Sequence, residues 1–233
     1  MTHVTAQDLE RLAAWDTPTI CNALEMVVPD RRATGFTVRP MVCADPDLKP
    51  IVGWARTATI RCSVPSEAPA DQQQRGRIAY YEYVADGARP AIAVIQDIDP
   101  EPGFGAFWGE VNTAVHKGLG VQGVVTNGSI RDLDACAPGF QLLAGMVGPS
   151  HAYVHVLETG CPVDVYGMRV EHDAIIHADR HGAVVIPQAA VKELPAAVDL
   201  LTRREAVILE CARQPEFDIA RLRRAMADAR DIH

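Results

Sequence analysis

Hydrophobic and polar positions follow two periods along this chain, and the two periods sort it into strands and helices. Residues 51–62 (IVGWARTATIRC) mix β-branched with polar residues and predict a strand. Residues 91–98 (AIAVIQDI) and 121–126 (VQGVVT) are apolar runs of strand length, as expected of strands buried on both faces. Further strands are expected at 140–146, 152–157, 163–170, 174–178 and 183–186, with turns at 171–173 and 179–182. The loop at 27–50 should hold a short strand near 36–42.

Helical spacing appears first at residues 6–14, then after Asp16-Thr17-Pro18, where a cap and a first-turn proline predict a helix through Leu24. A polar connection after Cys62 leads into a helix over about 71–84, which Asp86-Gly87 ends. Glycines bracket an amphipathic segment whose apolar positions are Val111, Ala114 and Val115. From Pro187 a helical region runs to about Arg213 with a kink or break at Pro195. Its stripe of Leu200, Leu201, Val207, Ile208 and Cys211 opposes Arg203, Arg204, Glu205 and Glu210. Phe217 and Asp218 begin a last helix, and no repeat or linker divides the chain, so residues 1–233 are expected to form one domain.

The costly chemistry concentrates in GEVNTAVHKGLGVQGVVTNGSIRDLD, residues 109–134. Asn127-Gly128 turns the chain after the buried strand at 121–126, and Arg131-Asp132 follow, where ligands meet the carboxyl ends of strands in open α/β sheets. Glu110 starts the helix, with twenty residues between it and Arg131. One helix and one strand can bring those ends together. An arginine fork suits a carboxylate, an aspartate suits a hard cation such as magnesium or manganese, and unpaired N–H groups of Val111 and Asn112 behind Gly109 suit an anion. Alone, an Arg-Asp dipeptide and a helix-start acid fit a solvated surface equally well.

Composition narrows the choice. With 22 Lys plus Arg against 30 Asp plus Glu, the net charge is −8 and no polybasic run exists, which argues against nucleic acid or an anionic membrane as partner. The six cysteines form no CxxC pair, so neither a zinc knuckle nor a dithiol is indicated, and a reducing cytoplasm is the expected home. The N-terminus has no apolar segment of a signal peptide, and no run is long enough to span a membrane.

The pattern Glu110, twenty residues, Arg131-Asp132 resembles the family of 4-hydroxy-4-methyl-2-oxoglutarate/4-carboxy-4-hydroxy-2-oxoadipate aldolases, class II pyruvate aldolases that share an RraA-like fold with regulators of ribonuclease E activity. DTPTICNAL, IVGWARTATI and HADRHGAVVIP resemble the family's first helix, first strand and late hairpin. The resemblance implies an α/β swivelling β/β/α sandwich with C-terminal helices, assembled as a homotrimer or hexamer with residues 188–233 at a subunit interface. It implies a lyase, an aldolase or oxaloacetate decarboxylase, that takes a small 2-oxo acid through a pyruvate enolate on Mg2+ or Mn2+. Asp132 would hold the metal, Arg131 the substrate, and Glu110 a water for proton transfer, with Gly109, Val111 and Asn112 lining the anion site. Asp134, as a second acid near the metal or a plain helix-start residue, and Glu205, reaching a neighbouring subunit's site, are further candidates. No lysine Schiff base is required of Lys49, Lys117 or Lys192.

The family's late hairpin is structural, so His177, Asp179 and His181 are read as structural, as are His151 and His155, four apart on one strand face. The aromatics Phe104, Phe107 and Trp108 read as packing close enough to wall the site from water. Family aldolases often carry Asp where this chain has Asn127, so an altered metal affinity or substrate choice is expected. The competing expectation is a non-catalytic regulator of ribonuclease E acting by protein binding. A menaquinone methyltransferase finds no support, since no glycine-rich cofactor loop precedes a ribose-binding acid.

Overall fold

The structure is a computed structural model in which residues 3–233 are described. It opens with α1 (Ala6–Leu12) and α2 (Thr17–Val27). Both begin on a side-chain cap: the Thr5 hydroxyl accepts from the Asp8 N–H and the Asp16 carboxylate from the Thr19 N–H, which satisfies donors the first turn cannot pair. There follow β1 (Val42–Cys43), β2 (Ile51–Arg61), α3 (Ala70–Ala85), β3 (Ala91–Asp97), β4 (Ala106–Trp108) and α4 (Glu110–Gly118). Next come β5 (Val121–Thr126), β6 (Ser129–Ile130), β7 (Gln141–Ala144), β8 (Met146–Val147) and β9 (His155–Thr159). The hairpins β10 (Val163–Val165) with β11 (Met168–Val170) and β12 (Ile175–Asp179) with β13 (Gly182–Ile186) lead to α5 (Leu194–Ala212) and α6 (Ile219–Arg230).

An eight-stranded mixed sheet, ordered β1-β7-β5-β3-β2-β12-β13 with β9 branching onto β2, curls into a half-barrel flanked by helices, as the α/β sandwich expectation requires. The branch explains the length of β2: residues 51–54 pair with β12 and residues 58–61 with β9, both antiparallel. Strands β2, β3, β5 and β7 run parallel. Along β3, Ala91, Ala93 and Ile95 face one apolar cluster with Tyr80, Val84 and Trp108, while Ile92 and Val94 face another with Met168 and Ile176. Alternate residues therefore bury on opposite faces, as the unbroken apolar run demands. A third cluster seats α1, α2 and the first turns of α5 through Leu9, Ile20, Leu24, Leu194 and Val198. Among the described residues no helix is long and apolar enough to cross a membrane, and all six cysteines are free thiols.

Several expected elements differ. Residues 163–170 form a hairpin, because Tyr166 and Gly167 adopt φ of 54° and 87° and reverse the chain. Residues 140–146 break at Gly145, where a side chain would strike the Tyr166 hydroxyl and the Asn127 carbonyl. Residues 36–42 hold only the single bridge Phe36 to Val184 before the short β1. Pro195 begins α5 instead of kinking it, since a first-turn position needs no N–H. In α4 the buried face is Thr113 and His116, whereas Val111 is 71% exposed. Polar side chains seat this helix, through hydrogen bonds and the packing of His116 on aromatic rings.

Candidate functional site

A separate three-stranded parallel sheet, β4-β6-β8, assembles the site. Trp108 pairs with Ile130 across β4 and β6, and the Arg131 N–H donates to the Trp108 carbonyl at 2.9 Å. Because the two strands run parallel, the residues that leave them emerge together: Gly109-Glu110 from one and Arg131-Asp132 from the other. The pair at 131 and 132 thus follows the short β6 beyond the Asn127-Gly128 turn, not β5 itself.

The contacts are close. The Glu110 N–H lies 3.4 Å from Asp132 Oδ2, which also lies 3.4 Å from Arg131 Nε. A Cβ on Gly109 would sit 2.5 Å from the same oxygen, so only glycine lets the carboxylate approach the helix start. Asp132 itself holds left-handed backbone, φ 54° and ψ 40°, which is costly without glycine and typical of over-determined sites. No side chain caps α4, and the Val111 and Asn112 N–H groups have no protein acceptor among the described residues. These are the donors an anion at a helix N-terminus would use.

Behind the site, buried His116 fixes α4 against α3. Its Nδ1 lies 2.7 Å from the Asn112 carbonyl, which can only accept, so that nitrogen carries the proton. Nε2 accepts from the Tyr80 hydroxyl at 2.7 Å. Burial pushes the imidazole down to about 4, so the neutral ring is the resident form. Trp108 packs on His116 at 4.5 Å between centroids and stacks on Phe140, and Phe107 meets Tyr80 edge-on. Of the three aromatics before the site, Trp108 is core, Phe107 lines the cleft and Phe104 is exposed.

The three residues open into a cleft of about 470 Å³. Gly109, Glu110, Val111 and Asn112 form one wall, with Arg131 and Asp132 beside them. Gln73, Arg77 and Tyr81 of α3 form another, and His151, Ala152 and Tyr153 a third. The Tyr81 hydroxyl donates to Asn112 Oδ1 at 2.6 Å and ties two of these walls together. Sequence reading missed the α3 wall, although its four-residue spacing on a polar helix was there to be seen. His151 is also corrected: it is an exposed cleft residue in a loop, not on one strand face with His155, and Ala152 after it has φ 46°. Asp134 and Glu205 are exposed and lie outside the cleft of their own chain.

Asp132 is a carboxylate here with an oxygen open to a hard cation. Asp132 has its side chain 37% exposed, and no hydrogen bond among the described residues reaches Oδ1. Magnesium and manganese need only one or two carboxylates when water completes their shell.

Two other clusters hold ligand-type atoms. Cys62, Asp97 and Asp99 bring theirs within 4.8 Å of one another, a set able to hold a metal. Here the oxygens already accept: Asp97 from the Asp99 and Gly103 N–H groups, Asp99 from the Cys62 and Ser63 N–H groups and the Ser63 hydroxyl. Burial pushes the Cys62 thiol up to about 12, so without a cation beside it the thiol stays protonated. The cluster braces the loop that leads to β4. In the second, His177 uses both nitrogens, on Thr17 Oγ1 and the Trp15 carbonyl, while Asp179 accepts from the Thr17 and His181 N–H groups. Those contacts dock α2 on the sheet.

Asn127 is buried, and its amide accepts from the Asp97 N–H at 2.7 Å and donates to the Asp97 carbonyl at 2.9 Å. It is therefore a strut between β3 and the turn.

Curled mixed sheet, flanking helices and a cleft at the ends of parallel strands define the RraA-like α/β class. The chain belongs to the RraA-like family: the family model described as Aldolase/RraA matches residues 17–185. No curated protein matches it. Among solved structures it is similar to an uncharacterized protein from Pseudomonas syringae pv. tomato str. DC3000, with 19% identity, TM-score 0.73 and coverage of 97% of this chain and 96% of that one. It is also similar to RraAS2 of Streptomyces coelicolor, described as an unusual member of the RNase ES inhibitor RraA protein family, with 19% identity, TM-score 0.68 and coverage of 92% and 100%. A protein described among novel cellulases from microbes associated with the gut ecosystem aligns at 15% identity and TM-score 0.71 over 88% of each chain. At these identities the likeness is one of fold.

Proposed function

We propose that this chain is a divalent-metal-dependent lyase that cleaves a 2-oxo acid to pyruvate, by retro-aldol cleavage of a 4-hydroxy-2-oxo acid or by decarboxylation of oxaloacetate. The observation that carries the proposal is the meeting of Glu110, Arg131 and Asp132 at one open cleft beside an uncapped helix start. Asp132 would hold Mg2+ or Mn2+, which when bound would supply positive charge to polarise the 2-oxo oxygen. The Val111 and Asn112 N–H groups behind Gly109 receive the substrate carboxylate, and Arg131 holds the same head from the other side. Glu110 positions a water for proton transfer. In the retro-aldol direction that water takes the C4 hydroxyl proton as it passes one of its own to the Glu110 carboxylate, C4 becomes a carbonyl as the C3–C4 bond breaks, and C3 takes the proton back from Glu110 through water to become the methyl of pyruvate.

The metal assignment is tested by titrating Mn2+ into the protein and into Asp132→Ala. The variant should bind at least about tenfold more weakly with its circular dichroism unchanged. Equal binding would remove Asp132 as the ligand.

The competing reading is a non-catalytic regulator of ribonuclease E activity, favoured by the description of the Streptomyces neighbour. Capture by immobilised ribonuclease E, with no Mn2+ bound, would decide for it. We also infer a homotrimer or hexamer with residues 188–233 at an interface. Phe217, Ile219 and Met226 remain 42%, 64% and 50% exposed, and Glu205 meets a cleft only if a neighbour supplies one.

A further inference from the structure

The N-terminal half of α3 is an unusual piece of this fold. Residues 70–79 are all exposed, and only Tyr80 and Val84 of the helix are buried. Such a stretch buries almost no apolar surface, so packing does not explain its composition. Gln73, Arg77 and Tyr81 recur every four residues and all three line the cleft. On the same helix, Arg75 is paired with Asp71 at 2.7 Å, whereas Arg77 has no ion-pair or hydrogen-bond partner among the described residues. An unpaired guanidinium in a concave site asks for a planar anion.

Its distance from the reacting end follows from the helix. Tyr81 touches Asn112 in the first turn of α4, which fixes where α3 meets the proposed 2-oxo acid head site. Arg77 lies one turn back, about 6 Å along the axis from Tyr81. An offset of about 6 Å is of the size of a chain of a few carbons.

We propose that Arg77, supported by Gln73 on the same face, is the specificity-determining residue of this cleft and binds an anionic group at the far end of the substrate. The inference rests on the lyase reading for its choice of substrates, but not for the existence of the anion subsite. Arg131 takes the 2-oxo carboxylate and Arg77 the second carboxylate, so a 4-hydroxy-2-oxo dicarboxylate is held at both ends and a monocarboxylate at one.

The test compares the wild type with Arg77→Ala and Arg77→Lys, all at an exposed helical position that leaves the core intact. Pyruvate release is measured from 4-hydroxy-2-oxoglutarate and from 4-hydroxy-2-oxopentanoate, which lacks the second carboxylate. Arg77→Ala should lower kcat/KM for the dicarboxylate about tenfold or more and leave the monocarboxylate within about twofold, with Arg77→Lys recovering part of the loss. An equal fall for both substrates, or no change for either, overturns the proposal. Calorimetric titration of 2-oxoglutarate and of pyruvate, without turnover, separates the two claims. Selective weakening of 2-oxoglutarate by Arg77→Ala supports the subsite even if neither substrate is cleaved, and absence of any binding or any selectivity overturns it even if cleavage occurs.

Discussion

Asn127 does what an aspartate in its place cannot, because its amide both accepts from and donates to the backbone of Asp97. Asn127→Asp keeps the shape, loses the donor and adds a buried charge beside Asp97. The expected cost is on the order of 2 kcal/mol, read as a lower midpoint in chemical denaturation at pH 7. His116 supplies a second prediction. Its folded pKa falls from the ordinary 6.5 to about 4, so between those values the unfolded chain binds a proton that the folded chain refuses. The stability it contributes is whole above pH 6.5 and is lost as pH drops toward 4, up to ~3 kcal/mol. Burial shifts His177 in the same direction and adds to the slope. In His116→Gln, which keeps a donor and an acceptor but does not titrate, the fall in unfolding free energy between pH 6.5 and 4.5 should shrink. An unchanged slope would place the titration elsewhere. Neither role was legible in the sequence, since Asn127 depends on the backbone of β3 and His116 on the Tyr80 hydroxyl of α3.

Among the elements, β4 and β6 matter out of proportion to their length. Neither is legible in the sequence, because two- and three-residue strands carry no periodicity. Yet their parallel pairing is what sets Glu110 against Arg131-Asp132. The strands expected at 51–62, 91–98 and 121–126, the cap of α2 and the start of α6 at Asp218 were legible, since apolar runs and capping side chains are local signals. The α4 face was misread because its burial uses Thr113 and His116, polar residues satisfied by Gly109 and Asn112 carbonyls and by Tyr80. Gly109→Ala tests the element-level geometry. The added methyl would displace Asp132 Oδ2, so Mn2+ affinity and turnover should both drop about tenfold or more while the thermal midpoint changes little. Retained Mn2+ affinity would mean that the carboxylate does not work from this position.

For the whole molecule, the half-barrel and its helices supply a rigid frame, and the cleft sits where parallel strands of the small sheet end against α4 and α3. The motif in residues 109–132 pointed to the three residues that meet there, but the wall built by α3 and the 151–153 loop depends on long-range packing. Light scattering should report a trimer or a hexamer, and Phe217→Ser with Ile219→Ser should weaken the assembly if α6 forms part of the interface. A monodisperse monomer would refute that arrangement. The protein, stripped of metal, is incubated with 4-hydroxy-4-methyl-2-oxoglutarate and with oxaloacetate while pyruvate is followed. Pyruvate should form from at least one of them only after Mg2+ or Mn2+ is restored, and excess chelator should stop it. Pyruvate that appears at the same rate with and without metal, or from neither acid under any condition, would contradict the account.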